Sequence, residues 1–294
     1  MKKLLLASTA VVMSAGVATA DVAVSGDAWM GLGYDSSVPT NDIQTISRAR
    51  VTFTLSGETD AGMAFGASFR ADNAGGAAGG GTNVNAIGRA NMTAGSVFIS
   101  GHFGRLAIGD VDSALEATWF RTRHIGVLEN AAGSRTAALG GGTNARALYT
   151  YDIDGFKVAL GTSQFVSGAQ AYSIGVSYTM DGYGIALGAE RNGAGDRHIL
   201  ISGQANFDPV SVRAFAGQLR PNGGGGNQNQ YGLDVHASFD GVGVQVRGMR
   251  DFAGNNHLGA GVTYGLGGGA TLGGSVNRVS GGATTADVGL SFSF

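Results

Sequence analysis

Four times in the second half of the chain, an alternating apolar and polar segment runs into a turn aspartate. The four are Tyr151-Asp152-Ile153-Asp154-Gly155, Tyr178-Thr179-Met180-Asp181-Gly182, Phe207-Asp208-Pro209 and Phe239-Asp240-Gly241. Measured from Asp154, the later turn aspartates fall 27, 54 and 86 residues on, the spacing of successive up-and-down hairpins. Asp and Gly tolerate the positive φ of a tight primed turn, so each junction is a hairpin signal. Related turns are read at residues 57–62, at Gly101-His102-Phe103-Gly104 and in the glycine cluster from Gly265 to Gly269. A fixed period also fits a solenoid, but no core ladder recurs with it, which favours a meander.

The alternation assigns faces. Met63, Phe65, Ala67 and Phe69 fall on one side of their segment. So do Phe156, Val158 and Leu160; Ile174, Val176 and Tyr178; Tyr183, Ile185, Leu187 and Ala189; and Tyr231, Leu233, Val235, Ala237 and Phe239. The opposite sides carry Ser68 with Arg70, Lys157, Glu190, and Asp234 with His236. Residues 287–294 alternate without a fault, with Val288, Leu290, Phe292 and Phe294 on one face. A wet, polar inner face with an apolar outer one is the pattern of a membrane barrel; a sandwich would bury the apolar face in a dry core. Longer, variable breaks such as 73–86 and 221–230 alternate with the short turns, as expected for external loops and periplasmic turns. About sixteen segments result, with seven short turns and eight longer loops, and the even count lets every edge be paired. Strand one begins near Asp21 and strand sixteen ends at Phe294, so these two residues are expected to meet at the closing seam. Residues 90–100 fit less well, because Phe98 opposes Val97 and Ile99. Such a strand is expected under a loop or at a subunit contact.

The first twenty residues read as a signal peptide: Lys2 and Lys3, an apolar stretch from Leu4 to Met13, then Ala18-Thr19-Ala20. Cleavage after Ala20 leaves a mature chain of 21–294. Past the leader no apolar run is long enough for a transmembrane helix. Without Lys2 and Lys3, 17 basic residues (Lys157 and 16 arginines) face 21 acidic ones, a formal charge of −4. That balance argues against a general nucleic-acid binder. The chain has no cysteine, so an exported fold must close by hydrogen bonding and packing alone. Glycine is abundant at 53 and proline appears three times, without the period of collagen.

One break is much longer than the others, from about Val111 to Thr143. It contains Leu115, Trp119, Phe120, Ile125, Val127 and Leu128, too apolar a set for a free external loop. Residues 112–120 are predicted to form a short helix, and the loop is expected to fold back against the protein.

The run Gly-Arg-Leu-Ala-Ile-Gly-Asp-Val-Asp-Ser-Ala, residues 104–114, resembles the fifth strand of general bacterial porins entering their third loop. The leader and the Asp-Val-Ala-Val-Ser-Gly start at residue 21 resemble porins of the Rhodobacter type, and the terminal phenylalanine resembles the assembly signal of outer-membrane barrels. The resemblance implies a 16-stranded antiparallel transmembrane β-barrel with the long third loop folded into the lumen. It implies a homotrimer in the outer membrane of a Gram-negative bacterium, in contact with lipid and lipopolysaccharide and passing small hydrophilic solutes. Carried over, the loop acids of the constriction would be Asp110, Asp112, Glu116 and Glu129. The wall bases would be Arg48, Arg50, Arg70, Arg89 and Arg146. Arg48 and Arg50 lie two apart, opposite Val51, Phe53 and Leu55, which places both in the lumen. Arginine on the lipid side at mid-membrane would cost about 2–4 kcal/mol. Arg121, Arg123 and Arg135 depart from an acidic loop and are expected to pair locally.

The function expected is general diffusion through a charge-lined pore. A substrate-selective channel, such as one for sugars, would need stacked lumenal aromatics. Trp29 and Phe215 are the inward candidates and form no visible ladder. An outer-membrane enzyme finds no Gly-x-Ser-x-Gly or His-Glu-x-x-His motif, although five histidines are present. No cofactor is expected; calcium at the loop acids remains open, without the spacing of a calcium loop.

Overall fold

The computed structural model describes residues 21–40, 42–72, 95–123, 125–126, 138–139, 146–163 and 170–294. The expected leader, residues 1–20, lies outside the described residues. Sixteen strands follow in order: β1 (Asp21–Asp35), β2 (Ile43–Glu58), β3 (Ala64–Asp72), β4 (Gly95–Gly101) and β5 (Gly104–Gly109). After helix α1 (Ala114–Thr118) come β6 (Arg146–Ile153), β7 (Phe156–Ser163), β8 (Tyr172–Met180), β9 (Tyr183–Arg191), β10 (Arg197–Phe207) and β11 (Val210–Arg220). The last are β12 (Gln228–Phe239), β13 (Val242–Arg250), β14 (Asn256–Gly267), β15 (Ala270–Val279) and β16 (Thr284–Ser293). Each pairs antiparallel with its neighbours, and β16 pairs with β1 to close the barrel.

The seam differs from its expected form. Asp27 stands opposite Ser293, and Phe294 exchanges backbone hydrogen bonds with Gly26 at 2.9 and 3.2 Å. Asp21 is five residues further along β1, roughly 17 Å away at the rise of an extended strand. There it pairs only with Ser56 of β2. The terminal phenylalanine is therefore joined to the wall, while the first residues of β1 overhang the seam.

The turns follow the sequence closely. At Asp154-Gly155, Asp181-Gly182 and Asp240-Gly241 both residues have positive φ, near 48° for the aspartates and 83° for the glycines. That is the type I′ geometry whose twist matches the flanking strands. The fourth turn, Asp208-Pro209, contains a cis peptide bond. Loops of four or more residues alternate with these turns around the other rim, among them 192–196, 221–227, 251–255 and 280–283.

The two skins are inverted relative to a water-soluble protein. Val97, Leu187 and Leu258 stand 58–65% exposed outside, while His198, Gln230 and Asp234 are at most 1% exposed inside. Outward aromatic residues gather at the turn end, with Phe156 on Tyr178 at 4.3 Å and Tyr183 on Phe207 at 5.7 Å. This is the girdle of a lipid-facing wall. Phe98 of β4 faces inward, as the alternation assigns. The Arg105 guanidinium covers its ring at 3.6 Å, a cation–π lid that makes an inward phenylalanine tolerable next to water.

A Cβ on Gly155 would stand 2.4 Å from the Thr179 carbonyl oxygen at a φ of +82°. Gly155→Val should therefore cost about 1–3 kcal/mol. It should lower the urea midpoint of the barrel in detergent micelles, followed by tryptophan fluorescence. Gly223→Val, in open space, should leave the midpoint where it is. Equal midpoints for the two variants would refute the turn assignment.

Candidate functional site

The long loop lies inside the barrel because its backbone is bonded to the inner wall. Ser113 starts α1 with a capping box: its hydroxyl accepts from the Glu116 amide at 3.2 Å, and the Glu116 carboxylate accepts from the Ser113 amide at 3.1 Å. The Ala114 amide donates to Ser173 Oγ on β8 at 2.8 Å, and Ser113 Oγ donates to Glu190 on β9 at 3.3 Å. Inward glycines let the helix lie this close. A Cβ on Gly175 would stand 2.1 Å from Thr118 Oγ1 and 2.4 Å from the Ala114 carbonyl oxygen. Gly161 and Gly188 make similar room for Ala114 and Leu115.

Past the helix the chain runs around the wall. The Phe120 amide donates to Ser202 Oγ on β10 at 2.9 Å. Arg213 of β11 donates to the Arg121 carbonyl at 3.1 Å, and Arg247 of β13 donates to the Arg123 carbonyl at 3.3 Å. Arg123 donates to Asp234 of β12 through both its amide, at 3.1 Å, and its guanidinium, at 2.7 Å. Gly126 comes against Ser275 of β15 and Asp287 of β16. Leu115 and Trp119 of the loop join Leu200, Phe215 and Met249 of the wall in a dry cluster. Each large side chain buried there contributes about 1.5–3 kcal/mol. From Ser113 to Gly126 the described contacts thus pass from the β7–β9 wall round to β16.

The inner face of β1–β3 carries the facing charges. Register puts Trp29 opposite Arg48, Asp27 opposite Arg50, Asp72 on the other side of Arg50, and Arg70 opposite Thr52. All of these therefore share the lumenal face. Arg48 is ion-paired with Asp27 and its guanidinium lies 5.5 Å from the Trp29 ring centroid. Arg50 Nη1 is 3.9 Å from the other Asp27 oxygen. Arg70 is exposed to the lumen, and at the loop entrance Asp110 and Asp112 are exposed as well.

Some of the expected constriction residues come together differently. Glu116 and Arg146 lie beside each other at 3.8 Å, with Glu116 also holding the Ser113 amide. That pair ties the loop to the β6 wall. Among the described residues the ion-pair partner of Arg123 is Asp234 on the wall. Arg89, Glu129 and Arg135 lie outside the described residues. Among the described residues no group of three or more His, Cys, Asp or Glu side chains is placed to hold a metal ion. Arg213, Arg247 and Asp27 were not singled out from the sequence. Alternation carries the signal for them: Gln245, Arg247 and Met249 oppose Val244 and Val246. Beneath the loop, Glu190 Oε1 lies 2.9 Å from His198 Nδ1, and Gln230 is 3.0 Å from His198 Nε2.

Gly175→Leu should lift α1 from the wall without opening the barrel. Trypsin should then cut at Arg121 or Arg123 on the order of tenfold faster, because cleavage follows local opening. The β-sheet circular dichroism should stay unchanged. Cleavage at the native rate would show that the loop is not seated on this glycine.

A family model described as Gram-negative porin matches residues 7–287. The porin of Rhodobacter capsulatus is 30% identical over 93% of this chain and 100% of its own length. A porin structure refined at 1.8 Å superposes with a TM-score of 0.76 at 27% identity, over 93% of this chain and 100% of that one. A triple mutant of the Rhodopseudomonas blastica porin superposes with a TM-score of 0.71 at 23% identity over the same shares, a likeness of fold.

Proposed function

This chain belongs to the Gram-negative porin family, and from that premise we propose that solutes cross between the β1–β3 wall and the entrance of the inner loop. It is a general diffusion channel of the outer membrane and not an enzyme. The observation that carries the finer reading is the unequal lining of the lumen. From Ser113 to Gly126 the loop is bonded to the wall from β8 to β13 and lies close against β7, β15 and β16, whereas Arg48, Arg50 and Arg70 line β2 and β3. Asp110 and Asp112 are exposed where the loop leaves β5.

Exposed Asp110, Asp112 and Arg70, with half-buried Arg50 and buried Arg48 in the wall beside Arg70, set a transverse field. Ions and dipolar solutes move with it, while apolar ones must displace ordered water. No covalent step or energy input is needed. In this reading Asp110 and Asp112 are the loop acids and Arg48, Arg50 and Arg70 the wall bases. Glu116 and Arg146 hold the loop in place. Glu129 and Arg89 keep the constriction roles that the family resemblance implies. A sugar-selective channel is less well supported, because Phe215 lies in the dry cluster with Trp119, and among the described residues no aromatic ring stacks on Trp29. The reading includes cleavage of the leader after Ala20, a mature barrel of 21–294, and three such barrels side by side in contact with lipid and lipopolysaccharide.

Purified protein in a planar bilayer should give linear, non-saturating conductance steps in groups of three. A silent bilayer would remove the channel reading, and single steps would remove the trimer. Arg48→Ala with Arg50→Ala should raise the cation-to-anion permeability ratio by a factor of about five or more, since each lost charge is worth about 1 kcal/mol at contact in water. Asp110→Asn with Asp112→Asn should shift it the other way. Reversal potentials in a salt gradient measure both, and an unchanged potential would take those residues out of the constriction.

A further inference from the structure

One carboxylate on the inner wall holds two distant points of the long loop. Glu190 of β9 is buried, and its Oε2 accepts from the Ser113 hydroxyl at 3.3 Å, where the loop enters α1. Its Oε1 accepts from the backbone amide of Leu139, 26 residues further on. Beside Leu139, Ala138 packs against the dry cluster that Leu115 and Trp119 form with the wall. The outgoing limb and the returning limb therefore meet at one side chain. The carboxylate is itself held. His198 stands directly opposite Glu190 across the β9–β10 pairing, fully buried, with Nδ1 2.9 Å from Glu190 Oε1. From β12, Gln230 Nε2 reaches His198 Nε2 at 3.0 Å. Gly217 of β11 lies between them: a Cβ there would stand 2.7 Å from His198 Nε2 and 3.2 Å from the Gln230 amide nitrogen. An amide nitrogen only donates, so His198 Nε2 accepts and Nδ1 carries the hydrogen that points at Glu190. The Phe252 ring meets the imidazole edge-on, with centroids 5.1 Å apart. Among the described residues Glu190 has no Arg or Lys partner; a buried carboxylate of that kind depends on its hydrogen-bond donors.

We propose that Glu190 is the positioning residue for the pore aperture, a clasp that keeps both limbs of the inner loop on the β9 wall and out of the passage beside β1–β3. The inference rests on the reading that solutes cross there. β9 is seven strands from β2 in a ring of sixteen, nearly opposite Arg48 and Arg50. A limb released at Glu190 swings toward that basic wall, and the width of the passage then varies with time. The role is geometric, because the carboxylate is shielded from solutes and engaged on both oxygens. His198 acts through Glu190: it fixes the carboxylate in the one orientation that presents Oε1 to Leu139 and Oε2 to Ser113, and Gln230 fixes His198 in turn.

The test uses the full protein carrying Leu139→Cys, a unique thiol because the chain has no cysteine. Two quantities are read: the rate at which a water-soluble methanethiosulfonate modifies that thiol, and the open-channel current noise in planar bilayers. Glu190→Ala should speed modification about tenfold or more, because the rate follows the population of the released limb and hydrogen bonds to a charged group are lost. The noise should rise with it. Glu190→Gln keeps an oxygen for Leu139 and His198 and offers an NH2 to Ser113 Oγ. It should match the parent in rate, noise and reversal potential. His198→Ala should loosen the thiol in the same direction, and His198→Asn, whose amide can stand where Nδ1–H stood, should restore the parent rate. Native β-sheet circular dichroism establishes that the variants fold. Glu190→Ala reacting at the parent rate would overturn the clasp, as would Glu190→Gln reacting as fast as Glu190→Ala. A reversal potential shifted in Glu190→Gln would also overturn it, by making Glu190 a charge that solutes sense. If Glu190→Ala does not assemble, His198→Ala at the parent rate decides against the clasp. A parent that is silent in the bilayer removes the channel reading instead, while the thiol rates still decide the clasp.

Discussion

Hydrocarbon offers no hydrogen-bond partner, so every backbone N–H and C=O at membrane depth must be paired within the wall. The rest of the structure depends on that. It requires a closed cylinder, and closure requires that the last strand find the first. Phe294 does so through Gly26, and β1 and β16 then pair from Asp27 to Asp35. The overhang of β1 past the seam leaves one edge of residues 21–25 without a strand partner while the other pairs with β2; it lies beside the β2–β3 turn, at the rim of the wall, where water satisfies such groups. With the wall closed, alternation does the remaining sorting: one face of every strand meets lipid and the other meets water or the inner loop.

The inner face then has a problem of its own. A segment placed in the lumen brings unpaired backbone and apolar side chains into a wet space, and it stays only if the wall satisfies both. Ser173, Ser202, Asp234, Arg213 and Arg247 supply the polar partners. Gly161, Gly175 and Gly188 remove the side chains that would hold the helix away. Leu200, Phe215 and Met249 receive Leu115 and Trp119. The charges here are mainly fasteners. Asp234 is fully buried and Arg123 answers it; losing one partner of such a pair leaves an uncompensated charge, typically a penalty of 3–5 kcal/mol.

This division explains what was legible in the sequence. Strand faces, turn types and the inward placement of Arg48 and Arg50 rest on local rules, a period of two and the φ preferences of Asp-Gly, and they read directly. The short helix was legible too, since Ser113 and Glu116 have capping-box spacing. The partners of the loop were not. Whether Arg123 meets a neighbour in the loop or Asp234, 111 residues away, depends on the path of the chain around the lumen. Nothing local encodes that path, although the inward glycines of β7–β9 mark where it runs. The seam failed for a similar reason: chain ends say where strands begin and stop, but the stagger of β1 against β16 is a property of the whole cylinder.

The same geometry separates fixed from responsive charge. Charges under the loop are shielded and bonded: Glu190 is held by His198 and Ser113, and Asp234 is answered at contact range by Arg123. Charges on β1–β3 and at the loop entrance stand in or beside water, where Asp27 only partly offsets Arg48 and Arg50. A permeating ion therefore samples a small subset of the lumenal charge. The formal total of −4 is a poor guide to selectivity: many of the acids that contribute to it hold the structure or line its rims, whereas Arg70, Asp110 and Asp112 are exposed. Counting charges by what they are bonded to, and not by sign alone, is the step that turns this barrel wall into a description of its pore.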